Sequence, residues 1–205
     1  ALSKGSAPRD LDEAEAAFRG AAEADPRDPT PLYNLGVLQI TRGRTEEGLA
    51  TLGRCREVAP SSDLARRAER VARNPRVAGK TLAPEFRVTT LTGQELTLRD
   101  LEGRVVLLDF WATWCPPCVA SIGELRDLRR DWPEERLAVV SISVDQDEDA
   151  WRSFVAGNRM LWPQYRDADK RLAQAFKVSA YPTYVLLDGD GVEVRRVSGL
   201  DERQS

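Results

Sequence analysis

Two different rhythms of apolar and polar residues run along this 205-residue chain. Residues 1–76 read as helical. Helices are predicted over residues 10–24 and 45–58, and over 63–73, where Leu64, Ala68 and Val71 share one face. From residue 82 the pattern becomes short apolar runs separated by amphipathic stretches. Residues 105–110 and 137–144 are nearly continuous apolar runs, which predict strands buried on both faces. Residues 116–131, 149–158 and 170–176 read as helices. Residues 184–187 and 192–197 read as strands joined by a turn at Asp188-Gly-Asp-Gly. Asn74-Pro75 and Gly79-Lys80 punctuate the border between the halves. Two domains are therefore expected, an all-α segment over 1–76 and an α/β domain over 82–205.

The first half repeats itself. Ala14 recurs as Gly48, Phe18 as Leu52, Ala21 as Cys55 and Pro26 as Pro60, each 34 residues on. A period of 34 residues is the tetratricopeptide spacing. Small residues let paired helices approach, an aromatic or Leu fills the groove, and Pro ends the second helix. The segment from Pro31 to Leu38 resembles the first helix of such a repeat, with Tyr33, Asn34, Leu35 and Gly36 at its usual positions and Gly43 making the turn. One and a half repeats plus a capping helix are predicted. Cys55 falls in a small-residue packing slot. A peptide or protein partner for the repeats is an expectation of the resemblance.

Composition narrows the chemistry. A net charge of −3, from 30 basic and 33 acidic residues, gives no reason to expect a nucleic-acid partner. No apolar run approaches the ~20 residues that span a bilayer. The chain has no histidine. Imidazole acid–base catalysis, Ser–His or Cys–His pairs and His-ligated metals are thereby removed. The single methionine is Met160, so a processed chain or fragment is expected, with any signal or membrane anchor upstream of residue 1.

Of the three cysteines, Cys55, Cys115 and Cys118, only the last two are close in sequence. Cys115-Pro-Pro-Cys118 stands where a buried strand gives way to a helix. A thiol at a helix N-terminus meets the positive end of the dipole and unpaired N–H donors, so its pKa falls below the free value of ~8.5. Cys115 is then the attacking thiol. Cys118, one turn further in, is the resolving thiol that releases the substrate from the mixed disulfide. Pro116 and Pro117 suit the first helical turn but remove N–H donors from the sulfur's surroundings. The competing zinc reading needs two further Cys or His ligands, which this half does not have. No metal or cofactor is expected.

The string Trp111-Ala-Thr-Trp-Cys-Pro-Pro-Cys118 is specific, and with it residues 82–200 resemble the TlpA/ResA group of the thioredoxin superfamily. The resemblance implies a thioredoxin fold: a central mixed sheet flanked by helices, with an N-terminal β-hairpin extension carried by Ala83-Pro84-Glu85-Phe86 and by the Gly93, Leu98, Leu101 and Gly103 segment. It implies that Pro182, in Tyr181-Pro182-Thr183, is cis and lies against the dithiol. It places Asp109 as a buried carboxylate that takes the Cys118 proton, with Ser141 where thioredoxins often hold a lysine. Trp114 and Tyr181 are the expected substrate-binding residues, and Trp111 is expected in the core. Trp132, Trp151 and Trp162 are expected as helix-face or loop packing. The final helix is expected to be cut short after Leu200.

The implied activity is protein thiol–disulfide exchange, chiefly as a reductase, outside the cytoplasm. Its partners would be a protein disulfide and a thiol electron donor. Two alternatives stand beside it. One is a redox-sensing binding module whose repeats recruit a partner. The other is a thiol peroxidase of the redoxin type. The spacing of Thr113 before Cys115 matches that type only in part, since no Pro stands at the required position and a second cysteine is adjacent.

Overall fold

A computed structural model describes residues 7–199, with side chains from residue 10. The chain divides into two compact units, residues 1–80 and 81–205. Among the described residues no helix is long and apolar enough to cross a membrane.

The described residues of the first unit form four α-helices, α1 (Ala7–Ala24), α2 (Pro29–Thr41), α3 (Thr45–Val58) and α4 (Asp63–Arg73), followed by a 3₁₀ turn at Pro75–Val77. Each packs on the next in sequence, as short connections dictate. Asp28 caps α2 by accepting from the Thr30 N–H, and Ser62 caps α4 by accepting from the Ala65 N–H. Gly43 turns the chain between α2 and α3 with φ of +83°, a conformation that L side chains rarely adopt. Leu52 and Cys55 on α3 are fully buried, and burial pushes the free Cys55 thiol above its ordinary pKa. The carboxylate of Glu15 accepts from Arg19, Arg42 and Arg44, tying α1 to the α2–α3 turn.

In the second unit a small hairpin, β1 (Arg87–Thr89) with β2 (Glu95–Thr97), precedes a single 3₁₀ turn at Leu98–Leu101. The main sheet contains β3 (Val105–Trp111), β4 (Leu137–Ser143), β5 (Gln164–Arg166), β6 (Thr183–Leu187) and β7 (Glu193–Ser198) in the order β5-β4-β3-β6-β7. β3, β4 and β5 run parallel, while β6 and β7 are antiparallel additions. β4 is buried at all seven positions, which is why it reads as a nearly continuous run of apolar and small residues. The helices are α5 (Pro116–Ala120), α6 (Ile122–Asp131), α7 (Glu148–Gly157) and α8 (Arg171–Ala175).

The expected hairpin is present within residues 83–103, as β1 and β2. Three expectations need correction. The helix expected over 116–131 is interrupted at Ser121, whose hydroxyl donates back to the Pro117 carbonyl and bends the helix. β5 has no counterpart among the predicted strands. Trp132 is exposed, with the Arg136 guanidinium over its ring at 5.2 Å. Trp151 and Trp162 are buried, as is Trp111. The expected shortening of the final helix falls after Leu200, outside the described residues.

Candidate active site

The carboxyl end of β3 carries the chain directly into the dithiol. Ala112 to Trp114 make the connection, and Cys115 is the N-cap of α5. Cys115 and Cys118 are joined in a disulfide with a Cα–Cα distance of 5.3 Å. The Cys115 sulfur accepts the Cys118 N–H at 3.3 Å, while the two prolines between them have no N–H to offer. Both cysteines are enclosed, at 5% and 3% exposure, so the disulfide hides the two residues almost equally.

The loop before Cys115 is held by a residue that no sequence motif marks. Asp145, just beyond β4, is buried. Its carboxylate accepts from the Thr113 N–H at 3.0 Å, from the Thr113 hydroxyl at 2.7 Å and from the Ser143 hydroxyl at 2.5 Å. Thr113 is thus engaged as an anchor for the loop. An acid at the carboxyl end of a buried strand, in a protein whose chemistry lies at that end, was the available signal.

The Tyr181–Pro182 bond is cis. The register of Phe110 with Thr183 sets Pro182 beside the end of β3. The Trp114 and Tyr181 rings meet edge to face, 6.1 Å between centroids, linking the two loops. Trp114 is 61% exposed, the most open tryptophan among the described residues. The Pro182 carbonyl is occupied by the Gly199 N–H at 2.7 Å. No intramolecular hydrogen bond engages the Tyr181 backbone among the described residues.

Asp109 is a mid-strand residue of β3, 2% exposed, with Ser141 of β4 on one side and Tyr184 of β6 on the other. The one hydrogen bond to its carboxyl among the described residues comes from the Ser141 hydroxyl, 2.7 Å from Oδ2. Burial pushes its pKa from 3.8 up to about 7, and the Ser141 bond pulls the other way. Among the described residues no cation offsets the burial. Since the folded value lies above the unfolded one, the stability linked to this carboxyl is complete below pH ~4 and is lost as pH rises through ~7. Asp109→Asn removes that titration and keeps an acceptor for Ser141. The disulfide form of the variant is expected to gain on the wild type between pH 4 and pH 8, by roughly 2–4 kcal/mol at the upper end. Urea titrations at both pH values check this, and a difference independent of pH would contradict a buried titrating carboxyl.

Of the residues expected at the site, Cys115 and Cys118 are bonded to each other, and Trp114, Tyr181 and Pro182 form a second cluster joined to their loop. Asp109 lies in the core beneath. Its strand neighbours Leu108 and Phe110 belong to the buried apolar cluster that also contains both cysteines.

Comparison with known proteins agrees with this arrangement. The AhpC/TSA family profile matches residues 80–196, and a tetratricopeptide-repeat profile matches residues 7–70. The thiol-disulfide oxidoreductase ResA of Bacillus cereus is 32% identical over 122 residues, 60% of this chain and 70% of that protein. A putative thiol:disulfide interchange protein DsbE from Chlorobium tepidum superposes with a TM-score of 0.56 at 28% identity, over 58% of this chain and 84% of the other. A secreted disulfide oxidoreductase of Mycobacterium tuberculosis gives 0.52 at 28%, over 58% and 87%.

Proposed function

We propose, for a chain that belongs to the AhpC/TSA family and has the thioredoxin fold of thiol–disulfide oxidoreductases, that it reduces protein disulfides outside the cytoplasm. Cys115 attacks one sulfur of the substrate disulfide and the first substrate thiolate leaves. Cys118 then attacks the Cys115 sulfur, the second substrate thiolate leaves, and the Cys115–Cys118 disulfide remains. Two electrons pass to the substrate, and a thiol donor restores the dithiol. Asp109 takes the Cys118 proton. The unpaired backbone of Tyr181 and the open face of Trp114 receive the substrate strand.

One observation favours the reducing direction: the Cys115 sulfur accepts a single N–H bond, and both residues between the cysteines are prolines. A couple becomes oxidising when its reduced form is stabilised as thiolate. Here two donors are missing from the first turn, and α5 ends after five residues at the Ser121 bend, so little dipole stands behind the sulfur. Equilibration of the full chain with glutathione buffers tests the direction. A potential below about −230 mV is expected, whereas a value near −120 mV would make the protein an oxidase. The secreted relative supports the extracytoplasmic setting.

A further inference from the structure

Asp109 does not stand alone against Ser141. Ser141 is completely buried on β4, and its hydroxyl oxygen accepts the indole N–H of Trp162 at 2.8 Å. Trp162 is itself buried, in the segment that enters β5. An indole nitrogen is only ever a donor, and a serine hydroxyl has one proton. With the indole N–H occupying a lone pair of the serine oxygen, that proton is directed at Oδ2 of Asp109, 2.7 Å away. A hydroxyl that elsewhere rotates to suit its neighbours is fixed here as a donor.

We infer that Trp162 and Ser141 are positioning residues for the resolving step: the indole fixes the Ser141 hydroxyl, the hydroxyl holds Oδ2 of Asp109, and the Cys118 proton is therefore received at Oδ1. The inference rests on Asp109 as the proton acceptor and adds how it is set. In the step itself the Cys118 S–H bond breaks and its proton passes to Oδ1. The Cys118 sulfur bonds to the Cys115 sulfur, and the bond from Cys115 to the substrate breaks to release the substrate thiolate. A neutral hydroxyl stabilises a carboxylate less than a lysine does, which keeps Asp109 titrating near neutrality with both of its forms accessible. The group opposite on β6, Tyr184, is pushed up to about 12 by burial and by Asp109 itself, so it stays neutral across this range. Among the described residues Asp145 and Asp167 are the other buried carboxylates of this unit; Asp145 is engaged by Thr113 and Ser143, Asp167 by the Leu172 and Ala173 N–H groups, and neither bonds to Asp109.

The test follows mixed-disulfide resolution in the full chain. Reduced protein is mixed with a small disulfide, quenched with acid at intervals from pH 5 to 9, and the Cys115 adduct is counted by mass. The wild-type rate is expected to rise through a midpoint near neutral pH. Loss of a bond to a charged acceptor is about tenfold in the equilibrium, so Ser141→Ala moves that midpoint up by roughly one pH unit and slows the step about fivefold at pH 7. Trp162→Phe moves it in the same sense by less, because the freed hydroxyl still reaches Asp109 part of the time. The double variant goes no further than Ser141→Ala alone, and Ser141→Thr, which keeps the hydroxyl, retains the wild-type midpoint. An unmoved midpoint in Ser141→Ala, with the limb erased by Asp109→Asn, overturns the relay and leaves the base in place. A limb that persists in Asp109→Asn overturns both. Should Ser141→Ala not fold, Trp162→Phe decides alone, and an unmoved midpoint overturns the relay.

Discussion

Cys115→Ser is expected to reduce the insulin-reducing activity of the full chain to the background of the dithiothreitol that drives it, a loss of roughly a thousandfold or more. The argument is chemical. A serine hydroxyl is not ionised at neutral pH and forms no disulfide, so the exchange loses its first covalent intermediate. Cys118 does not substitute, because it lies inside the turn that Cys115 caps. Cys118→Ala should behave differently. The first attack survives and the second does not, so Cys115 accumulates as a mixed disulfide that mass spectrometry detects after acid quenching. The pair of outcomes separates the two thiols by role. A Cys115→Ser protein as fast as the wild type would leave the repeats as the functional part and the dithiol as a sensor. A Cys118→Ala protein with no trapped adduct would remove the resolving role.

The dithiol was plain in the sequence because its chemistry is local. Two cysteines three apart, after a buried apolar run and around two prolines, carry their strand-to-helix setting with them. The buried strands were legible for the same reason, since residues 137–143 are apolar or small throughout and the structure buries all seven. The position of Ser141 opposite Asp109 was readable by counting back from Val144-Asp145, and the register bears it out. What escaped is non-local. The grip of Asp145 on Thr113 joins residues 32 apart, and the Trp162–Ser141 bond joins residues 21 apart. No periodicity marks either pair. β5 is three residues long, too short for an alternating pattern to register. The bend at Ser121 depends on which way a hydroxyl turns, toward solvent or back to Pro117, and both choices are open to the same residue.

The second large effect lies in the repeat unit, where Gly48→Val is expected to destabilise the α2–α3 pair by about 3 kcal/mol. Gly36 and Gly48 face each other across these helices. A Cβ on Gly48 would stand 2.5 Å from Ile40 Cγ1 and 2.6 Å from the Gly36 carbonyl oxygen. A Cβ on Gly36 would stand 2.7 Å from Leu52 Cγ and 2.9 Å from the Gly48 carbonyl oxygen. A side-chain tip can turn aside, but the carbonyls belong to the helices themselves, so the whole pair must separate. Valine adds a branch at Cβ to that clash. Its better helix propensity returns only a few tenths of a kcal/mol against glycine. Gly53 is the internal control. It lies on the same helix with nothing within 4 Å of its would-be Cβ, so Gly53→Ala should stabilise the unit by up to about 1 kcal/mol. Hydrogen exchange of the full chain, read at the α2 and α3 amides, measures both substitutions within one unit. The 34-residue spacing that pairs Ala14 with Gly48 is then a statement about distance: α3 requires glycine where its backbone touches α2. Equal protection in the wild type and Gly48→Val would show that the helices do not approach this closely.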